Sequence, residues 1–582
     1  MRVYFPCIAI LLTLGLAHAD KLTVRIEGLD GHKTALTNVQ NALSIYEYQN
    51  REAPPALRVE WLNEQAPAEI EQALEPYGFY RPKIKTNLTK EGDTWIATYQ
   101  INPEDPIKIN DLIFELEGEG RRKKIFKTII QESDLRLGAP LNQVSYEKMK
   151  STLYNRALSM GYFEVDFPVH QIIVNLDTYK SLVHLAMDTG RRYHFGEVTF
   201  QSDYFSEDLL RRYVMMNEET EFSDTRTLEL QQDLDASDYF EEVVITPTID
   251  HQNRTVPLDI KVTPKKRRVF SVGLGYSTDI GARISGLGTW RYLNPMGHKM
   301  TVDLLLAQKQ RRAALVYTVP GKRPATSFYD FYVRYDYEDT KYRDYTAFVL
   351  GAASTYQKDN LKQVYALDYR NDRFRTPDGV RRHTKMIVPS ATFTWQNIEN
   401  PWFTAWVLKG SVMVRGAAKQ IASDVNFLQV KAEGTAVIPI PGFQNDRIIL
   451  RGQIGHTFVP SEDLYNMPPA LLFQTGGDNS VRGYRYNGIG EKGYRSNEIY
   501  GGKKLVVASF EYEHRFTKEW AGVTFVDAGD AFNGPKPNWK VGAGVGARWY
   551  SQIGVVKFDI AHGFNREFGD TVRFHLNIGA EL

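Results

Sequence analysis

From Arg573 to Leu582 the chain alternates without interruption: Phe574, Leu576, Ile578, Ala580 and Leu582 against Arg573, His575, Asn577, Gly579 and Glu581. A period of two places the sets on opposite faces of a strand and cannot make one face of a helix. Phe270, Val272, Leu274 and Tyr276 alternate in the same way with Ser271, Gly273, Gly275 and Ser277. Sixteen such segments fill the 317 residues from 266 onward. That allows about twenty residues for each ~10-residue strand and its turn, as a membrane barrel needs.

Beyond the first residues, no apolar run approaches the ~20 residues of a spanning helix, and mean hydropathy is negative. In hydrocarbon every backbone amide needs an internal partner, so a chain of this composition can cross a bilayer only as a closed barrel. The expectation for 265–582 is a 16-stranded antiparallel transmembrane β-barrel. Trp290, Trp395, Trp402, Trp406, Trp520, Trp539 and Trp549 are candidates for its interfacial aromatic belts.

The chain opens with Arg2, an apolar stretch from Ile8 to Leu16, and Ala17-His18-Ala19 before Asp20. This is the layout of a secretory signal over 1–19. The one cysteine is Cys7, so the remainder has no disulfide, thiol nucleophile or cysteine metal site. A net charge of +1 with 24% charged residues gives no reason to expect a nucleic-acid partner.

Before the barrel the chain repeats. Helical stretches end in Tyr77-Gly78-Phe79-Tyr80, Met160-Gly161-Tyr162-Phe163 and Ser237-Asp238-Tyr239-Phe240, with the aromatic pairs 83 and then 77 residues apart. This predicts three copies of an α+β unit, over 20–102, 103–187 and 188–264, ordered strand, helix, helix, strand, strand. The second has strands at 113–116, 167–174 and 182–187 and helices at 123–131 and 142–159; the third has helices at 208–215 and 224–234. Gly78 and Gly161 suit left-handed helix ends, with Asp238 a costlier substitute. The aromatic pairs belong to the core, and each unit leaves a sheet edge able to pair with an extended peptide. Lys265 to Arg268 form a basic run, a solvated linker or a contact for lipid phosphate.

Of 44 glycines, 33 follow residue 265. Short connections such as 294–297 and 358–360 alternate with longer ones, as turns opposite loops. The longest, about 457–503, follows the eleventh strand and puts Val481-Arg482-Gly483-Tyr484 in the sixth outer loop. A cation inside a barrel must be answered by carboxylates, and Glu511 on strand twelve and Asp527 on strand thirteen are the candidates. Gly476, Gly477, Gly483, Gly488 and Gly490 let that loop fold back. At the closure, Gly273 and Gly275 beside Leu274, and Gly579 beside Ile578, weaken the first and last strands, so a lateral seam is where ladder bonds are expected to open.

No Gly-x-Ser-x-Gly, His-Glu-x-x-His or phosphate-loop motif occurs. His456, His562 and His575 lack metal-ligand spacing and read as lumen or rim polar residues. Asp478, Asp527 and Glu511 around a cation read as a structural lock more than an acid/base set. No enzyme activity, cofactor or metal is expected.

Three repeats, sixteen strands, Val-Arg-Gly-Tyr in the sixth loop and Phe525-x-Asp527-x-Gly529 downstream resemble the Omp85 superfamily along essentially the whole chain after the signal. The resemblance implies periplasmic POTRA repeats, a barrel in the bacterial outer membrane, and a luminal loop whose Arg482 meets Asp527 and Glu511. Three units, where relatives carry five or two, look most like the outer-membrane subunit of the translocation and assembly module. This implies insertion of unfolded autotransporter-type β-barrel clients, with an inner-membrane-anchored, periplasm-spanning partner at the first repeat and outer-membrane lipid beside the seam. Envelope lipid transport and a passive or ligand-gated pore are the alternatives. The terminal Leu582 departs from the aromatic that ends many outer-membrane proteins.

Overall fold

The computed structural model describes residues 20–376, 379–398, 406–443, 445–492, 499–551, 554–565 and 572–579. The signal expected over 1–19, Trp402, Ala580, Glu581 and Leu582 lie outside them. Two compact units make up the chain: one runs to Glu197 and adds Met216–Leu228 and Pro247–Leu258; the other holds Val198–Met215, Glu229–Thr246 and Asp259–Leu582.

In the first unit, Lys21–Glu27 lies parallel to Thr94–Asn102, with Lys83–Glu91 on the outer edge and helices Lys33–Ala42 and Ala56–Leu74 against the sheet. The second copy repeats this plan with strands Lys108–Glu117, Asp166–Asn175 and Lys180–Asp188 and helices Lys124–Glu132 and Gln143–Ser159. Asn142 caps the last helix, its side chain accepting from the Ser145 amide at 3.1 Å. Gly78 and Gly161 both have φ of 87°. Each also hands its carbonyl to the following repeat, Gly78 to the Ile107 amide at 2.8 Å and Gly161 to that of Tyr193 at 2.9 Å.

The third copy differs. Its sheet comprises His194–Ser202, Thr255–Pro264 and Phe240–Pro247, but the helix expected over 208–215 is only Glu207–Arg211. The amides of Arg212, Tyr213 and Val214 each bond three residues back, tightening the last turn until it ends. Asp238 is not among the positive-φ residues; its carboxylate turns instead to Arg291 Nε at 2.9 Å and Lys299 Nζ at 3.0 Å. Of each aromatic pair one ring is buried: Phe79, Tyr162 and Phe240. Tyr239 instead donates its hydroxyl to the Gly297 carbonyl at 2.7 Å.

Sixteen strands close the barrel, from Arg268–Ser277 to Val572–Gly579. Apolar side chains point to lipid: Phe270, Val272 and Leu274 are 66%, 79% and 74% exposed. The connections follow the expected alternation of lengths only in part: 278–280 and 308–309 on the sixth loop's rim are shorter than 291–298 opposite, but 418–426, 459–503 and 533–539 on that rim are longer than 440–445 and 516–519 opposite. The tryptophans are one-sided: Trp290, Trp395, Trp406, Trp520 and Trp549 stand at strand ends opposite the sixth loop, and Trp539 alone of the described ones on its rim. The basic run is neither free linker nor lipid contact alone. Arg267 Nε donates to the Tyr292 carbonyl at 3.0 Å, and Lys265 Nζ to that of Ser237 at 3.3 Å.

Candidate functional site: a luminal arginine and a short seam

Between the eleventh strand (Asp446–Phe458) and the twelfth (Lys504–Arg515), the sixth loop carries Arg482 inward. Gly476, Gly477 and Gly483 have φ of 103°, 107° and 91°, the left-handed turns that fold the loop back. Val481 packs with Phe473, Ile489, Leu505 and Val507. The Tyr484 hydroxyl donates to the Val541 carbonyl at 3.0 Å and accepts from the Asn565 amide at 3.1 Å.

The Arg482 side chain is 2% exposed. Its fork grips Asp527, Nε to Oδ2 at 2.7 Å and Nη2 to Oδ1 at 3.0 Å. Nη1 donates to Glu511 Oε2 at 2.6 Å and to Asp559 Oδ2 at 3.2 Å. The guanidinium carbon lies 3.3 Å from the Phe525 ring centroid, a cation–π stack on the plane left free by the in-plane bonds.

Three members of the network escaped sequence reasoning. Asp559 lies on the fifteenth strand (Gly554–Gly563) and Arg548 on the fourteenth (Lys540–Ser551), where Arg548 bonds Asp559 at 2.5 Å and Glu511 at 3.3 Å. Arg451, on the eleventh, donates to Ser509 Oγ at 3.1 Å and approaches Asp527 at 4.0 Å. Arg451, Arg482 and Arg548 therefore balance Glu511, Asp527 and Asp559, and burial leaves no net charge to desolvate alone. Parity along each strand places these residues in the lumen, but only register brings them together. The wall is cut to receive the loop at Gly542, where a β-carbon would meet the Arg482 carbonyl, while at Gly544 and Gly546 it would meet neighbouring strands, at the Ile560 carbonyl and Phe525 ring and at the Asp559 carboxylate.

The seam is short. Among the described residues the first and last strands pair at Tyr276–Ile578 and Ser277–Asn577; the first and second pair from Arg268–Trp290 to Ser277–Gly281. The register sets Ile578 of the last strand against Tyr276, two residues on from Leu274. Gly275 and Gly579 also act as clearance. Arg283 on the second strand crosses the first beside both of them and donates to the Ile578 carbonyl at 3.3 Å. At Gly273 a β-carbon would stand 2.6 Å from Ser285 Oγ.

His575 is not a bystander on the rim. It is 4% exposed, and with Asp279 and Asp478 it forms a group whose potential ligand atoms lie within 4.8 Å of one another. Both of its ring nitrogens are engaged by protein groups, Asp478 and the Gly483 amide.

An Omp85 superfamily domain model matches residues 295–582, a model for POTRA domain 1 of TamA matches 23–103, and a POTRA surface-antigen repeat model matches 193–265. Among solved structures, BamA from Haemophilus ducreyi lacking POTRA domains 1–3 aligns with a TM-score of 0.66 at 18% identity, covering 81% of this chain and 99% of that one. CdiB from Escherichia coli aligns at 0.49 and 10% identity, covering 91% and 99%, and CdiB from Acinetobacter baumannii at 0.44 and 15%, covering 90% and 99%. The first of these supports the fold.

Proposed function

Because the chain belongs to the Omp85 superfamily, with its barrel in the outer membrane and its POTRA repeats in the periplasm, we propose that it inserts autotransporter-type β-barrel clients by lateral opening of the seam. The observation that carries this reading is the seam's short described ladder, Tyr276–Ile578 and Ser277–Asn577. Each ladder bond contributes only about 0.5–1.5 kcal/mol net, so few must break before the first strand offers its edge. An incoming strand pairs with that edge through its own backbone, and burial of the client's polar groups and apolar surface drives the step without a nucleotide.

The wall is also low here. The first three strands span 10, 10 and 9 residues, against 15, 15 and 18 for the sixth to eighth. A shorter wall beside the seam draws the lipid thinner. For the inner-membrane-anchored, periplasm-spanning partner, the first repeat offers its outer edge strand Lys83–Glu91, whose residues are mostly exposed. We read this chain as the outer-membrane subunit of a translocation and assembly module, acting through backbone pairing and not through catalysis.

Cysteines at Tyr276 and Ile578 test the opening, since directly opposed strand residues stand within disulfide reach. The oxidised lock should abolish client insertion and reductant should restore it. Insertion at the normal rate through a locked seam contradicts the reading.

A further inference from the structure

Asp478, in the inward-folded sixth loop, touches both edges of the seam at its outer end. Its Oδ2 accepts from Ser277 Oγ at 3.0 Å and its Oδ1 from Thr278 Oγ1 at 2.7 Å, at and just beyond the end of the first strand. Across the seam, Oδ1 bonds His575 Nδ1 at 2.7 Å on the last strand. The ring's other nitrogen, Nε2, faces the Gly483 amide at 3.0 Å. A backbone N–H can only donate, so Nε2 accepts, the ring proton sits on Nδ1, and it points at Asp478.

Thr278 extends the join. Its amide donates to the Leu576 carbonyl at 3.0 Å, and its hydroxyl accepts from the Leu576 amide at 3.3 Å, standing in for a ladder carbonyl. Asp279 accepts from the Asp478 amide at 2.9 Å and so fixes the loop to the first strand's end. Ser277, Asp478 and His575 are 4%, 9% and 4% exposed, a setting in which water competes little for these bonds.

We infer that the sixth loop latches the seam from inside the barrel: Asp478 joins Ser277 and Thr278 to His575, and the seam parts only when the loop withdraws this side chain. The inference rests on the lateral-opening reading for its purpose, but not for its geometry. Arg482, four residues on, holds the loop to strands twelve, thirteen and fifteen, the wall that leads up to the His575 side of the seam. The loop therefore ties the seam to the wall beside it, and anything that disturbs the arginine network loosens the latch as well.

The test is hydrogen exchange on the intact protein in lipid nanodiscs, comparing native protein with Asp478→Ala, Asp478→Asn and His575→Gln. The account expects exchange about ten- to hundredfold faster at 268–277 and 572–579 in both Asp478 variants, with strands twelve and thirteen still protected. His575→Gln, which keeps a donor and an acceptor, should fall between them and the native protein. Unchanged exchange at the seam overturns the latch, and so does a rise that is uniform over the barrel in all three variants. Client insertion through the Tyr276–Ile578 disulfide reads the lateral-opening proposal separately: insertion that survives the lock defeats that proposal and leaves the latch to stand on the exchange data.

Discussion

The carbonyl oxygen of Arg482 occupies the place that a β-carbon on Gly542 would need. The loop's backbone thus rests directly on the fourteenth strand, and the fit depends on an absent side chain as much as on the guanidinium.

Gly542→Ala should lift the loop while leaving the ladders that pair strand fourteen with its neighbours. Limited proteolysis would show cleavage within 459–503 where the native loop resists. Because the displaced loop no longer fills the lumen, single-channel recordings should show larger and steadier conductance.

Arg482→Ala leaves Asp527, whose side chain is 0% exposed, without its fork partner. Breaking a buried pair from one side costs about 3–5 kcal/mol, so thermal or denaturant unfolding should show a clear loss. Arg482→Lys should recover little of it, because an ammonium cannot form the two parallel bonds or lie flat on Phe525. Asp559→Asn should cost less than Asp527→Asn, since Asp527 is the more deeply buried and accepts from Arg482 Nε, Nη2 and amide and from Ser509 Oγ, whereas Asp559 accepts from Arg482 Nη1 and from Arg548.

Burial opposes ionisation of Asp238, but hydrogen bonds from Arg291 and Lys299 outweigh it and hold the carboxyl below its ordinary range. A depressed folded-state value means the contact contributes fully above the unfolded pKa near ~3.9 and is lost as pH falls through the lower folded value. With the side chain 45% exposed, the contribution is about 0–1 kcal/mol. Unfolding measured from pH 6 to pH 3 should show Asp238→Asn and native protein converging at the acid end.

Much of this architecture is written in local pattern. Alternation alone yields sixteen strands, and counting them puts Arg482 in the sixth loop and Glu511 and Asp527 on strands twelve and thirteen, where the structure has them. What local pattern lacks is register. Asp559, Arg548 and Arg451 each sit on the luminal side by parity, yet their meeting with Arg482 depends on ladder offsets that no single segment encodes. The seam shows the same lack: glycines mark its two strands, but that Ile578 faces Tyr276 is a matter of register. Asp238 follows a helix as Gly78 and Gly161 do, but what sets its conformation are partners more than fifty residues away, Arg291 and Lys299. Gly542 is one of the glycines that enrich the barrel half, and only the Arg482 carbonyl lying against it explains why that position must lack a side chain.

Lateral opening is tested most directly by disulfide scanning between single cysteines along the first strand, from Ser271 to Ser277, and single cysteines in the terminal strand of a client stalled during insertion. Antiparallel addition to the free edge predicts cross-links in one register, each step along the first strand matched by an opposite step in the client. Cross-links scattered over luminal positions, with none in register on the first strand, would contradict it.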